Sequence, residues 1–400
     1  MENLCIRCKG KGLCGKPCKI LARFIDFAPK VKKHFSGSTP PELFVGRSGY
    51  PNVFSGIISP NEIGETEVYS SPEDWVSQNL TIEQVLAFRG KMIYARQETN
   101  IKSQSIIQKK VQELALSSKP VSVEFFLKRP PRLEFTPSKV FSIMTNPAPI
   151  ERVNLEENPK VEKKVDSLTS DYDSTAQNAL NELYNSNIKV SHLSKLLSSG
   201  LLGIKMQRKF VPTRWSITAV DDILSKNLVQ KIKYYSEINE ILLFNDEYNG
   251  NHYEFLLLPG NFSFEVIEAE APGNVWNPSL KLEMTQDSES FFGRKDYAKN
   301  VTGAYYANRL GVCEYLEKEK KQAQVIVLRE IKEEYYAPLG VGILRELTRR
   351  AFLKNPEKPS TIEEALSLIS LRIKIPVEEF KKNSETLKEY GKQKKLTKWF

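Results

Sequence analysis

Four hundred residues and 45.7 kDa accommodate two or three domains at about 150 residues each. Hydrophobic residues at 40% against 27% charged can fill a sizeable core, which excludes a disordered or fibrous chain. The longest apolar runs, such as 255–258, fall far short of the ~20 residues that cross a bilayer, and the opening MENLCIRCKG lacks the apolar stretch of a signal peptide. A soluble, cytoplasmic protein without a membrane partner is expected. Lys plus Arg number 58 against 49 Asp plus Glu, a formal charge of +9, which favours polyanions such as nucleic acid without requiring one.

Four of the five cysteines fall within the first eighteen residues: Cys5, Cys8, Cys14 and Cys18, spaced C-x2-C-x5-C-x3-C. Tetrahedral zinc asks for four thiolates at about 2.3 Å, and two close pairs on short turns supply them. Gly10, Gly12 and Gly15 can take the positive φ of such turns, and Pro17 stiffens the second pair. The other use of these thiols, two disulfides, needs an oxidising compartment for which no export signal speaks. With all four thiolates engaged, the Zn2+ would be structural rather than catalytic. Arg7, Lys9, Lys11, Lys16 and Lys19 make the knuckle basic, which suits phosphate but equally serves solubility. Apolar residues at 20, 21, 24, 25 and 27 then predict a helix that docks the knuckle, closing a first segment at 1–35.

An N-terminal α+β part is expected over 36–150. Strand-like runs occupy 43–47, 53–59 and 121–128. Ser71-Pro72 offers an N-cap with Pro at the first helical position, Thr81 with Gln84 fits a capping box, and helices are predicted over 82–89 and 101–117. Residues 151–173 are charged, with EENPKVEKK at 156–164, and read as a linker or exposed helix. A larger α+β part follows over 174–380. Its predicted strands are 241–244, 253–258, 262–270 and 324–329. One hairpin is expected at Asn249-Gly250 and another where Pro259-Gly260-Asn261 leads to the next strand. Helices are predicted over 174–185, 304–320, 340–352 and 361–371, the last opened by a Ser360–Glu363 capping box. The stretch 176–203 has the outline of a helix-turn-helix, but its second helix offers only His192, Ser194 and Lys195 to a groove, so an αα-hairpin is the expectation. With no internal repeat and no strict β-α-β alternation, the class is α+β: a mixed body with antiparallel hairpins, an N-terminal four-cysteine zinc knuckle and a flexible C-terminal tail over 381–400.

No G-x-x-x-x-G-K-[ST] loop is present, which sets aside an ATPase of that type. His34, His192 and His252 stand apart from any Cys or carboxylate pair, and each reads as structural. Cys313 shares the apolar face of a predicted helix with Tyr306, Leu310 and Leu316 and reads as a core thiol. Asp221, Asp222 and Glu330 are the catalytic candidates: a metal-dependent nuclease needs converging carboxylates, and Glu330, Glu333 and Glu334 would share a helical face. The competing account of Asp221 and Asp222 is a helix start, with Ser216 or Thr218 as cap and acids in the first turn. Arg47 near Gly46 and Gly49, and Arg214 beside Trp215, invite nucleic acid. Glycine lets a phosphate approach, arginine grips it, and Tyr50 or Trp215 can stack on a base. Core packing with buried Arg–carboxylate pairs would use the same residues without a ligand.

The last twenty residues hold seven lysines and two glutamates and end in QKKLTKWF. Gln393, Leu396, Trp399 and Phe400 resemble the peptide that binds the sliding clamp (PCNA) of archaeal and eukaryotic replication. In a 3₁₀ turn, residues three apart eclipse, so Leu396 and Trp399 share a face with Phe400 beside them. Burying the three is worth roughly 1.5–3 kcal/mol each. Ordering the tail offsets part of that, which sets the expected affinity around micromolar. A tail packed on its own domain is the alternative.

Together, the cysteine knuckle, FVGRSGYPNV (44–53), PTRWSITAVDD (212–222) and QKKLTKWF (393–400) resemble the archaeal Nre ("novel repair enzyme") family of DNA-repair proteins across nearly the whole chain. The resemblance implies a cytoplasmic role in DNA-damage repair with recruitment by the clamp, and no particular reaction. The leading expectation is therefore a clamp-tethered repair factor that binds damaged or branched DNA. A repair enzyme, nuclease or glycosylase, with its site among Arg47, Arg214, Asp221 and Glu330 stands second. A zinc-knuckle RNA-binding protein stands third.

Overall fold

The computed structural model describes residues 7–13, 15, 17–272, 277 and 281–390. The chain is mixed α and β and divides into two compact units, Met1–Leu224 with Ala337–Ile343 and Ser225–Tyr336 with Leu344–Phe400. Cys5, Cys14 and the motif residues Gln393, Leu396, Trp399 and Phe400 lie outside the described residues. No helix among the described residues is long and apolar enough to cross a membrane.

The first unit is built on a six-stranded sheet. In chain order its strands are β1 (His34–Thr39), β2 (Leu43–Val45), β3 (Asn52–Ser59), β4 (Ile93–Asn100), β5 (Val121–Leu127) and β6 (Pro147–Leu155), arranged β1-β5-β6-β4-β3-β2. Neighbours are antiparallel except β4 with β6. Alternate residues face opposite ways. Phe35, Val53, Ile57, Val123 and Phe125 meet Val111 and Leu114 of helix Ile106–Ala115 on the core side. On the other side Ile58 and Tyr94 are covered by Tyr69, Met92 and Met144, while Phe54, Arg96, Phe126 and Arg152 remain at least partly exposed.

Local signals in this unit act where they were expected. Helix Lys19–Phe27 buries Ile20 and Phe24 and takes Cys18 as its N-cap, the sulfur accepting the Leu21 N–H at 3.4 Å. The Ser71 cap with Pro72 behind it and the Thr81–Gln84 capping box both form. The predicted 101–117 helix is shorter, Ile106–Ala115, because Ser105 caps it. Residues 151–173 hold the end of β6 and helix Lys163–Ser170. Helices Ala176–Asn185 and Val190–Ser198 follow. His192 and Ser194 are buried in the second of them, so they present nothing to a groove.

The second unit carries a five-stranded sheet of β7 (Leu242–Tyr248), β8 (Asn251–Leu258), β9 (Ser263–Glu270), β10 (Glu283–Glu289) and β11 (Gln324–Ile331), ordered β7-β8-β11-β9-β10. Asn249 and Gly250 take φ of 48° and 75° and join β7 to β8, the hairpin their dipeptide predicts. The second expected hairpin does not form. β11 lies between β8 and β9, antiparallel to one and parallel to the other. Pro259-Gly260-Asn261 reverses the chain, but the place beside β8 is taken by β11, whose Val325, Ile326, Val327 and Leu328 are buried on both faces. One face packs on helix Ile362–Ser370 and Phe380; the other meets helix Gly303–Glu319 through Tyr305 and Asn308.

Cys313 is fully buried in that last helix, and burial pushes its thiol pKa up, as befits a core residue. The predicted Ser360–Glu363 capping box does not form; the N-cap of Ile362–Ser370 is Thr361, one residue later, and the acid three residues on bonds the residue before the cap rather than the cap itself. Thr361 accepts from the Glu364 N–H at 3.1 Å, and the Glu364 carboxylate accepts the Ser360 N–H at 2.7 Å. Helices Val377–Asn383 and Glu385–Glu389 fill the start of the expected tail.

Candidate nucleic-acid interface

The first unit brings two of the sequence-predicted aromatics together. The loop from Gly46 to Asn52 turns twice: the Tyr50 N–H reaches the Arg47 carbonyl at 3.4 Å and the Asn52 N–H reaches that of Gly49 at 2.9 Å. Gly49 has φ +80°, and a Cβ there would stand 2.7 Å from the Asn52 carbonyl oxygen, so only glycine makes this turn without strain. The loop is pinned at its base, where Gly46 donates to the Phe54 carbonyl at 2.8 Å. Next to it, the Val45 N–H donates to the Thr213 hydroxyl at 2.9 Å. Thr213 opens helix Thr213–Ile232, so this bond sets Trp215 beside the loop. The Tyr50 and Trp215 rings lie 5.3 Å apart at 51°, with 41% and 44% of their surfaces exposed. Arg47 is exposed and Arg214 half-buried.

Two residues that sequence reasoning missed make a second exposed aromatic–arginine pair, on the strand that follows the loop and the strand beside it. Phe54, 44% exposed, lies on the outward side of β3, with the Arg96 guanidinium 4.4 Å from its ring centroid. Their register explains the meeting: Gly56 pairs with Arg96 and Phe54 with Glu98. Glu98 contributes an opposing charge. Farther along the same sheet face, Arg152 stands 4.1 Å from the Phe126 ring centroid and the His34 ring lies 4.7 Å from it, tilted by 33°. Glu124 is held below the usual carboxylate range by the Asn154 amide and then by His34. An outward Phe in a half-buried strand was a readable signal. Arg96 was not, because its strand, IYARQETN, has no clean alternation.

Chemically, this is a surface of exposed aromatic faces flanked by arginines. A π-face accepts any base, and guanidinium both stacks on aromatics and pairs with phosphate. Core packing with buried Arg–carboxylate pairs does not describe Arg47, which is exposed.

The carboxylate candidates behave differently. Asp221 is fully buried and lies in the third turn of helix Thr213–Ile232. Asp221 and Asp222 therefore do not sit at a helix start, and Ser216 and Thr218 do not cap one; Pro212 and Thr213 begin the helix upstream. Glu330 is on strand β11, so Glu330, Glu333 and Glu334 do not share a helical face. Its carboxylate accepts the backbone N–H groups of Lys374 and Ile375 at 2.9 and 2.8 Å. Arg47, Arg214 and Asp221 belong to the first unit and Glu330 to the second. His252, expected to stand apart from any carboxylate pair, in fact lies between Glu247, its β7–β8 register partner, and Glu254, two residues on along its own strand, 3.1 and 2.8 Å from its two ring nitrogens. Among the described residues no group of three or more His, Cys, Asp or Glu side chains could hold a metal ion. Of the cysteine knuckle, Cys8 and Cys18 are described, and each sulfur accepts a backbone N–H, from Leu13 at 3.3 Å and Leu21 at 3.4 Å.

Comparison with known proteins adds to this geometry. The family model described as "Archaeal Nre, N-terminal" matches residues 13–277 and that described as "Archaeal Nre, C-terminal" matches residues 289–399. The chain is similar to DNA repair protein NreB of Archaeoglobus fulgidus, at 36% identity over 98% of each chain. It is also similar to DNA repair protein NreA of the same organism, at 38% over 92% of this chain and 93% of the relative. DNA repair protein NreA of Haloferax volcanii is 34% identical over 87% and 85% respectively. No solved structure matches.

Proposed function

The chain belongs to the archaeal Nre family, and from that membership we propose that it acts in DNA repair, holding unpaired bases of damaged or branched DNA on the surface around Tyr50, Phe54 and Trp215. The observation that carries the DNA contact is the Tyr50–Trp215 pair, two aromatic rings kept exposed by a loop and a helix start that are bonded to each other. Exposed aromatics held rigid cost little ordering entropy on binding, and Arg47 and Arg96 supply charge for the neighbouring phosphates. The relatives, each called a DNA repair protein, support the biological setting.

Recruitment by the sliding clamp through Gln393, Leu396, Trp399 and Phe400 completes the proposal, supported by the spacing of the motif. A structural zinc on Cys5, Cys8, Cys14 and Cys18 is part of it too. Thiolates in such knuckles are stabilised by backbone N–H donors, and Cys8 and Cys18 both have one. Anisotropy titration of the full chain with labelled single-stranded DNA tests the first element; no binding by the wild type removes it. Titration with purified clamp tests the second, because the Trp399→Ala/Phe400→Ala variant must lose the binding that the wild type shows. Metal analysis tests the third: about one zinc per chain is expected for a single four-thiolate site, and a value near zero with disulfides in the mass spectrum overturns it.

A further inference from the structure

The second unit carries an exposed aromatic of a different kind. Strand β10 runs into a tight turn at Ser290–Gly293, closed by the Gly293 N–H donating to the Ser290 carbonyl at 2.8 Å and by the Phe292 N–H reaching the Ser290 hydroxyl at 3.3 Å. Gly293 takes φ +79°, which turns the chain back toward the body. Phe292 at the tip is 91% exposed, and Phe291 meets it edge-on at 5.8 Å.

The turn is braced from below. The Arg294 guanidinium donates to the Ser288 and Asp296 carbonyls at 3.1 and 2.9 Å and to the Asp287 carboxylate at 3.0 Å. The other oxygen of Asp287 accepts the N–H groups of Asn300 and Val301 at 2.9 and 2.8 Å. Arg294 is thus part of the frame. The charges left for a partner are the exposed Lys295 and Lys299, together with Lys233, whose ammonium lies 4.9 Å from the Phe291 ring centroid. Asp296 is the one acid within residues 290–300. Beside Lys233, Tyr234 is also 91% exposed.

We propose that Phe292 is a wedge that enters a base step of duplex DNA, with Lys233, Lys295 and Lys299 on the flanking phosphates. An apolar side chain pushed between base pairs unstacks them and kinks the duplex. That use needs a rigid stem, a bulky apolar tip and cationic flanks, and all three are present. The cations complement a polyanion. A weakly stacked step, such as a mismatch or a strand break, yields most easily, so the wedge would favour damaged sites. The inference rests on the DNA-binding reading above but concerns a different surface.

The test uses the full chain and two ligands: a duplex with 2-aminopurine at a central mismatch, and a labelled single strand of the same sequence. The wild type should raise 2-aminopurine fluorescence on binding the duplex. Phe292→Ala should lose about fivefold or more of that rise, and Phe292→Leu should keep most of it, since any bulky apolar tip can unstack a step. Thermal melting should be the same for all three, as the side chain is exposed, and so should single-strand affinity. Duplex binding without a fluorescence rise, or an equal rise with Phe292→Ala, overturns the wedge and leaves the DNA-binding reading standing. Failure of the wild type to bind either ligand overturns both.

Discussion

Replacing Trp215 with alanine removes one of the two rings that form the exposed pair on the first unit. A base stacked on an aromatic side chain is worth about 1–3 kcal/mol, or roughly five- to 150-fold in Kd at ~1.4 kcal/mol per decade. Somewhat less than half of each residue's surface is free, 44% for Trp215 and 41% for Tyr50, which places the expected loss in the lower half of that range, about tenfold for either single alanine variant. The rings are 5.3 Å apart, in contact with each other and too close to admit a base between them, so together they offer one stacking platform. The double variant should therefore lose less than the product of the singles, with a coupling of at least about 0.5 kcal/mol. Folding should change little, because only the ring pair itself is removed, about 0.5–1.5 kcal/mol. Anisotropy titrations with a short oligothymidine at fixed salt, run beside thermal melts, read both quantities. Arg47→Ala in the same assay should flatten the salt dependence by about 0.7 for each phosphate no longer neutralised. Unchanged affinity in both single variants and the double, with intact melting, would refute stacking at this surface.

His192 is buried at the Ala115 carbonyl, 2.9 Å away, and burial pulls its pKa from 6.5 down to about 4. The unfolded chain binds the proton first, so the stability that neutral His192 protects is complete above pH 6.5 and falls as pH drops toward 4. Urea titrations of His192→Gln should show a shallower acid limb across that window, by about 3 kcal/mol at most; an unaltered slope counts against the assignment. Glu265 is fully buried and accepts from the Ser384 hydroxyl at 2.6 Å, the Glu385 and Thr386 N–H groups at 2.7 and 3.2 Å and the Gln286 amide at 2.8 Å. Glu265→Ala leaves these donors without their acceptor and should cost about 3 kcal/mol, with faster amide exchange across 384–389, whereas equal exchange there would show that the helix stands without it. Arg329→Met strands the buried Glu268 and should destabilise by about 3–5 kcal/mol, and adding Glu268→Leu should recover most of that. A double variant as unstable as the single would mean that packing, not the charge pair, sets the cost.

Much of the fold was legible because its cues are local. Ser71-Pro72, Thr81–Gln84 and Asn249-Gly250 act within four residues, and each does what its chemistry predicts. Strands β4, β6 and β10, whose sequences are IYARQETN, PAPIERVNL and EMTQDSE, were illegible for the opposite reason. Charged residues interrupt the alternation that marks a strand, so the local cue is missing. The site divides along the same line. Arg47, Tyr50, Arg214 and Trp215 stand in two dense motifs and could be named, but what brings Tyr50 to Trp215 is a bond from Val45 to Thr213, 168 residues apart. Phe54 joins Arg96 only through β3–β4 register. Asp221 and Asp222 misled because a Ser/Thr before two acids looks like a helix start, while Pro212-Thr213 had already begun the helix two turns earlier.

The second sheet shows why the order of its strands escaped the sequence. β8, β9 and β11 all carry apolar runs, and apolar burial alone is indifferent to which neighbours which, or to a two-residue slip that keeps the same faces inward. Charge breaks that degeneracy. Arg329 on β11 stands level with Glu268 on β9 in the parallel register and bonds it, while also reaching Asn251 on β8. In the observed order one guanidinium satisfies acceptors on both neighbouring strands. Moving β9 by two residues would set Arg329 beside Val266 or Glu270 and leave Glu268 facing an apolar side chain. A buried ion pair contributes little net stability, so this one is better understood as selecting β11 for the centre. That selection is what separates β8 from β9 and undoes the hairpin that Pro259-Gly260-Asn261 advertised.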